Sequence, residues 1–291
     1  MARLAQFLIA SELRAALIAS VLLVMPLVSW VGASVVALFM LRKGLSELRW
    51  VIGLPLAVAV ASAFVGQDPT MLIVLVITVG FAMVLHSTLS WTVTLQVMAL
   101  TGLVLVLLVD AVYADTLKAL VVIIKQVIAT PEQLAAFGVG SETIDAWLGA
   151  LSVGALSFVY LVSALLALVF ARAMQARAFN PGGFKSELEA LRLPVSWSAG
   201  CFLVALAGFL VDPWLLRFSP TAALPLMFVG IGLVHGLTAI RQSKSILIMF
   251  YAALLFFTPY LLLLLALLAV IDAFVDFRTR ARQEPPIDED E

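Results

Sequence analysis

Charge is scarce in this chain. Only 12% of its 291 residues are Asp, Glu, Lys or Arg, against about a quarter in ordinary soluble domains, while 64% are hydrophobic. A water-soluble core of this size has no use for so much apolar side chain, so the solvent the composition asks for is a lipid bilayer. The net charge of −1 supplies no basic surface and points away from nucleic acid. One cysteine, Cys201, rules out an intrachain disulfide, and neither a C-x-x-C nor a Cys/His metal pattern occurs. Cys201 reads as a small buried apolar residue, and no metal or other cofactor is expected. The sequence contains no H-E-x-x-H, no G-x-S-x-G elbow and no Walker phosphate loop. A pairing of Ser157 with His235 is selected by no spacing, so no catalytic residue is assigned and the chain is not read as an enzyme.

What the chain does have is long apolar runs. Asp, Glu, Lys and Arg are absent from 15–41, 50–67, 69–109, 146–171, 193–211, 218–240 and 245–271. A hydrocarbon core of about 30 Å takes about 20 helical residues per pass, so these intervals are of membrane length and 69–109 holds two passes joined near His86. Continuous Leu/Val/Ala runs are not the alternating strands of about ten residues that a barrel needs. The expected fold is therefore all-α and polytopic, with 8–10 membrane segments, some short or broken, placed near 6–26, 28–41, 50–66, 70–86, 89–112, 147–172, 195–212, 220–240 and 246–274. Residues 1–277 read as one helical membrane domain. The first apolar run leads through Ser11-Glu12-Leu13-Arg14 into a second without a small-residue cleavage site, so it is not read as a cleaved signal peptide.

Basic residues set the topology, because Lys and Arg of short loops stay on the cytoplasmic side. Arg42, Lys43 and Arg49 share one loop, Arg172, Arg177, Lys185 and Arg192 another, and Arg241 and Lys244 a third. Folding the terminal stretches back at Pro26 and Pro259 puts fourteen of the 17 basic residues inside, leaving Lys118, Lys125 and Arg217 outside. For 246–277 two readings stand: two short helices turning at Pro259, or one long final helix.

Three connecting regions have a character of their own. Over 115–128, Asp115, Lys118 and Lys125 mark one face while Leu117, Leu120, Val121, Ile124 and Ile128 fill the other, which predicts an amphipathic helix in the outer interface. Thr130-Pro131-Glu132-Gln133 and Ser141-Glu142 read as helix starts; the external region 115–146 as a whole is a passive strap or a lid. In the cytoplasmic loop 173–194, Phe179-Asn180-Pro181-Gly182-Gly183-Phe184 is a turn signal, and Ser186-x-x-Glu189 opens a short amphipathic helix carrying Leu188, Leu191 and Leu193. Residues 278–291 form a polar, acidic tail with the composition of a disordered segment.

The stretches Ala171-Arg172, Phe179-Asn180-Pro181-Gly182-Gly183-Phe184-Lys185, Leu191-Arg192-Leu193 and Ile271-Asp272-Ala273-Phe274-Val275-Asp276-Phe277-Arg278 resemble the YybS-like family of bacterial polytopic membrane proteins. Leu41-Arg42-Lys43-Gly44 and Gly232-Leu233-Val234-His235 extend the likeness over most of the chain. The resemblance implies a multi-pass protein of the bacterial inner membrane, with no activity assigned to the family. More remotely, such proteins are similar to the substrate-capturing subunits of energy-coupling-factor vitamin transporters. That likeness implies a non-enzymatic subunit that captures or conducts a small solute, and it rests here on the close-packing pair Ala15-x-x-x-Ala19. One departure is Ala269-Val270-Ile271, where the family usually carries a glycine before the final Asp.

Candidate site residues follow from polarity at membrane depth, where ionisable groups cost about 2.5–3.5 kcal/mol. Gln96 and Thr101, with Trp91, could line a polar cavity, and His235 could contact a ligand or switch with pH; packing and a bonded neutral histidine are the plainer readings. Asp110 and Asp272 each border an apolar run, which places both at the headgroup level. The functional reading of the latter is a helix-end clamp of Asp272, Asp276 and Arg278 that fixes the cytoplasmic mouth or docks a partner. Asp276 also stands four residues before Arg280, a spacing for a surface ion pair. Trp30, Trp50, Trp91, Trp147, Trp197 and Trp214 fall near segment ends, as interface anchoring requires. Expected partners are thus the bilayer, a small solute, and a cytoplasmic or membrane protein held by the 180–193 loop and the tail.

Overall fold

The structure, a computed structural model, describes residues 1–25, 27–128 and 141–283. Among these residues every regular element is helical, as a backbone without water to bond demands. Six helices are long and apolar enough to cross a membrane, or seven if a bent N-terminal pair counts as one span. The chain is a multi-pass α-helical membrane protein. It packs as two compact units, Met1–Gly102 with Leu156–Phe184, and Leu103–Ala155 with the chain from Lys185 onward.

In the first unit, α1 (Ala2–Ile9) turns through 114° into α2 (Glu12–Val24). Ser11 makes the corner: its backbone is extended and its Oγ accepts from the Arg14 amide at 3.4 Å, with Glu12 in the first turn. That is a capped helix start, so the segment expected over 6–26 is two helices. The break expected at Pro26 lies outside the described residues. On its far side α3 (Ser29–Lys43) packs along α2 so closely that a Cβ on Gly32 would stand 2.6 Å from the Ala19 carbonyl oxygen and 2.7 Å from the Leu23 amide. Ala15 and Ala19 are fully buried.

Every residue of α3 from 32 to 41 is buried, enclosed by α2, α4 (Leu45–Val65) and α5 (Thr70–Thr88). Gly44, at φ +76°, ends the helix. The Leu41 carbonyl that this leaves open accepts a hydrogen bond from Gln175 Nε2 at 2.8 Å, and His86 Nδ1 lies 3.2 Å from it. Arg172 Nη1 in turn donates to Gln175 Oε1 at 2.7 Å. The Leu41-Arg42-Lys43-Gly44 and Ala171-Arg172 stretches therefore meet around one orphan carbonyl.

The two longest helices, α6 (Trp91–Ile128) and α7 (Ser141–Phe179), contribute to both units. The span expected over 89–112 and the separate interfacial helix expected over 115–128 are one continuous helix of 38 residues. No glycine or proline lies beyond Gly102 to interrupt it, and at 1.5 Å per residue it is about 57 Å long, well over one hydrocarbon thickness. The helix start expected at Ser141 is found, whereas that at Thr130-Pro131-Glu132-Gln133 lies outside the described residues.

The second unit continues with α8 (Gly183–Glu189), α9 (Val195–Leu210), a 3-10 turn (Pro213–Phe218), α10 (Ser219–Ile240), α11 (Lys244–Phe256), α12 (Thr258–Val275) and α13 (Phe277–Gln283). Helix α8 begins three residues before the expected Ser186, and Leu191 and Leu193 follow its end as buried anchors. The stretch 246–277 is neither one long helix nor two short halves: α11 ends at Phe256, Pro259 sits in the first turn of α12, where its missing N–H is harmless, and of the two α12 alone is long enough to span. Only α12 is span-length; α11 and α9, which holds the buried Cys201, are shorter. Residues 278–283, expected in the tail, form α13, while the acidic 284–291 lie outside the described residues.

The tight α2/α3 crossing generates a prediction. Gly32→Ala drives a methyl into the backbone of α2 and should lower stability by about 1–3 kcal/mol, as overpacking does. Gly53→Ala, in α4 where a Cβ meets nothing within 4 Å, should instead gain about 0.5–1 kcal/mol of helix propensity. Thermal unfolding of the two variants checks both signs.

Candidate functional site

Two polar constellations stand out, and both lie within the second unit. The first is a groove between the parts of α6 and α7 in that unit, with a volume of about 460 Å³. On α6 its lining residues recur at helical spacing, from Asp110 through Ala114, Leu117, Lys118, Val121 and Val122 to Lys125. The facing stripe of α7 runs from Asp145 through Ala146, Gly149 and Ala150 to Val153. Small side chains keep the stripes apart: a Cβ on Gly149 would meet nothing within 4 Å.

Ion pairs close the groove at both ends. Lys125 Nζ bonds Asp145 Oδ1 across the two helices. At the other end Arg217 Nη1 bonds Asp110 Oδ2. Arg217 reaches this position because Asp212 caps the 3-10 turn, its Oδ1 accepting from the Trp214 amide at 2.7 Å. Its Nε donates to the Trp214 carbonyl at 2.9 Å, and its guanidinium lies 4.4 Å from the centre of the Trp214 ring. The Arg217 side chain is 10% exposed and that of Asp110 41%, so Asp110 is half-exposed but paired. Sequence reading missed the pair, although the signal was there: Asp110 is the first charge after 69–109 and Arg217 the last before 218–240.

The second constellation is the clamp at the end of α12. Asp272, expected at the headgroups, is buried with 1% exposure. Its Oδ1 accepts from the Phe277 amide and its Oδ2 from Arg278 Nη1, both at 2.9 Å. Arg278 Nη2 donates to the Leu191 carbonyl at 3.0 Å, and Arg192 Nη2 to the Asp272 carbonyl at 2.9 Å. Burial lowers the Arg278 guanidinium below its ordinary value, and the Asp272 carboxylate offsets this only in part. Gly236 makes room: a Cβ there would stand 2.6 Å from Arg278 Nε and 2.7 Å from the Glu189 carbonyl. The clamp thus ties the residues after α8 to the end of α12.

Asp276 does not form the expected pair with Arg280. It turns left-handed at φ +53° to cap α13, where its carboxylate accepts from the Thr279 amide and hydroxyl. Its Oδ2 pairs with Arg192 Nη1 at 2.8 Å, and Arg280 Nε donates to the Val275 carbonyl. The hydrogen bond from Arg192, helped by two from Thr279 against the opposing effect of burial, holds the Asp276 carboxyl down at about 2.

The remaining candidates are scattered. Trp91 is buried and its ring lies 6.0 Å from that of Phe184 in the first unit, so two separately chosen residues meet. Asn180, Pro181 and Gly182, at φ +88°, form the exposed turn before it, and the Gly183 amide donates to the Asn180 carbonyl at 3.0 Å. His235 Nε2 lies 2.7 Å from the Tyr251 hydroxyl, a local pair between α10 and α11. Gln96 and Thr101 are half-buried and line neither the groove nor the cavity of about 260 Å³ beside Arg278.

Removing one member of the buried pair leaves its partner uncompensated, which typically costs about 3–5 kcal/mol. Arg278→Ala and Asp272→Ala should each fall in that range by thermal unfolding, and the double variant should lose less than the sum. The Asp276 carboxyl is depressed, so its stabilisation is complete above its ordinary value of 3.8 and is lost as pH falls toward about 2. Asp276→Asn should therefore flatten the stability profile below pH 4 and leave its slope at neutral pH unchanged. Comparison with protein-family models, with curated proteins and with solved structures found no match.

Proposed function

We propose that this membrane protein is a non-enzymatic, transporter-like subunit that captures a small solute in the α6/α7 groove, with energy supplied by other chains. One observation carries the reading: the groove is the size of a small-molecule site, within the range of about 300–1,000 Å³, and combines apolar walls with a few fixed charges. The broken apolar segment of α1 and α2, bent by 114°, is of the kind transporters place around their sites. The resemblance to the YybS-like family, and more remotely to vitamin-capturing subunits, supports the same reading, and with it we propose the bacterial inner membrane as the protein's location. The test is to fill the groove. Gly149→Leu should abolish retention of a small molecule that mass spectrometry finds released from the purified protein, whereas Gly80→Leu, equally open at its Cβ, should retain it. Identical released species from both variants would sink the reading.

A second reading, a scaffold for a cytoplasmic partner, is favoured by the clamp, which holds the segment after α8 in one geometry and leaves Pro181, Gly182, Lys185 and Ser186 exposed. Gly182→Leu should then eliminate copurification of one specific protein. Unchanged copurification at unchanged stability argues against it.

A further inference from the structure

We infer that the ligand of the α6/α7 groove is a zwitterion with a short apolar body, its cationic group at Asp110 and its acidic group at Lys118. This rests on the capture reading and adds the chemistry of what is captured. Among the described residues five charged side chains line the groove, of both signs: Asp110, Asp145, Lys118, Lys125 and Arg217. A wholly apolar ligand would strip water from these groups and return nothing. A simple anion would face two carboxylates and a simple cation three basic groups. A ligand carrying both charges meets neither penalty.

The pairing pattern says where each charge goes. Lys125 and Asp145 satisfy each other across the groove. Arg217 is committed to Asp110 Oδ2, to the Trp214 carbonyl and to the Trp214 ring. Arg217 is also nearly buried, so the groups that combine spare capacity with an open side chain are Asp110 and Lys118. Asp110 keeps its other oxygen, on a side chain 41% exposed. Among the described residues Lys118, 77% exposed, is held by its helical neighbour Asp115, which is 98% exposed and does not line the groove. A pair so exposed is readily exchanged for a ligand's acid.

Geometry supports the assignment. Asp110, Ala114 and Lys118 are successive turns of one face of α6, and about 12 Å of helix axis separates the two charged residues. Side chains lean toward the helix N-terminus, so Lys118 reaches back toward Asp110 over Ala114, whose methyl leaves the space between them open. Beyond Lys118 the walls are Val121, Val122, Ala146, Gly149 and Ala150 up to the Lys125–Asp145 pair. Seven residues of α6 give that apolar stretch a length of about 10 Å, which suits a short chain or a single ring rather than a full-length lipid tail. An apolar α-amino acid and a short-chain phosphocholine share this chemistry.

The experiment is calorimetric titration of the full-length protein in nanodiscs with octylphosphocholine, L-phenylalanine, octanoate and octyltrimethylammonium. At least one zwitterion should bind with a Kd at least tenfold below those of octanoate and octyltrimethylammonium, and which one binds identifies the source. Asp110→Asn and Lys118→Gln should each raise that Kd tenfold or more, and Gly149→Leu should abolish binding. Lys118 is at the surface, so the Lys118→Gln arm stands even where Asp110→Asn destabilises the protein by releasing Arg217. If octanoate or octyltrimethylammonium binds as tightly and Gly149→Leu abolishes it, capture in the groove survives and the zwitterion is wrong. If zwitterion binding persists in Gly149→Leu, the ligand lies elsewhere and both readings fall. No binding by any of the four probes overturns the inference.

Discussion

A peptide group in hydrocarbon finds no water, and the rest of this molecule follows from that constraint. Each apolar run must close its hydrogen bonds within itself, so it becomes a helix, and the difficulty moves to helix ends, where carbonyls and amides remain open. The structure answers several of these ends with a side chain placed for each. Gln175 serves the carbonyl that α3 leaves at Leu41, Ser11 the first turn of α2, Asp212 the 3-10 turn, and Asp272 the amide that opens α13. The polar residues that the composition spares are concentrated at these ends.

Charge obeys the same logic. Asp110 borders one long apolar run and finds Arg217, at the edge of another, 107 residues along the chain, whereas Asp272 borders a third run and finds Arg278 just past the helix end. A lone ion at that depth costs several kcal/mol, so pairing is a condition of placing it there. The two pairs differ in what surrounds them. Asp272 is enclosed and its carboxylate oxygens are both used, which suits a fixed joint. Asp110 keeps one oxygen toward a groove, which suits a contact that can be made and broken.

How far the sequence could be read depends on the range of the interaction concerned. The all-α architecture was legible because apolar length and charge-free spacing act locally, and the helix start at Ser141 and the turn at Asn180-Pro181-Gly182 were legible because their chemistry lies within four residues. The corner at Ser11 carried a local signal too, and was passed over because the apolar pattern runs on both sides of it. Continuity of α6 was obscured by the opposite error: a change from apolar to amphipathic pattern reads as a boundary, but a helix ends only where a breaker or a cap ends it. The clamp was legible in membership through Asp272, Asp276 and Arg278, yet not in its wiring, since Arg192 and the Leu191 carbonyl arrive from a distant stretch. Gln96 and Thr101 were chosen for polarity alone, and polarity does not reveal which face of a helix meets a cavity. The groove itself came from small residues facing one another, a pattern that a single sequence cannot separate from ordinary alanine content.

The burial of α3 on all sides bears on how the protein is made. At 15 residues it spans about 22 Å, too little to cross a bilayer core unaided, and its Ser34 and Gly32 offer little to lipid. Emerging alone from the insertion machinery, it would have no stable resting place in the membrane. With Gly32 set against the Ala19 carbonyl, α2 and α3 form a preassembled wedge that can enter as a hairpin, and α4 and α5 then close around it. The order of synthesis along the chain is thus also an order of assembly, with the most deeply enclosed helix committed before its enclosure exists.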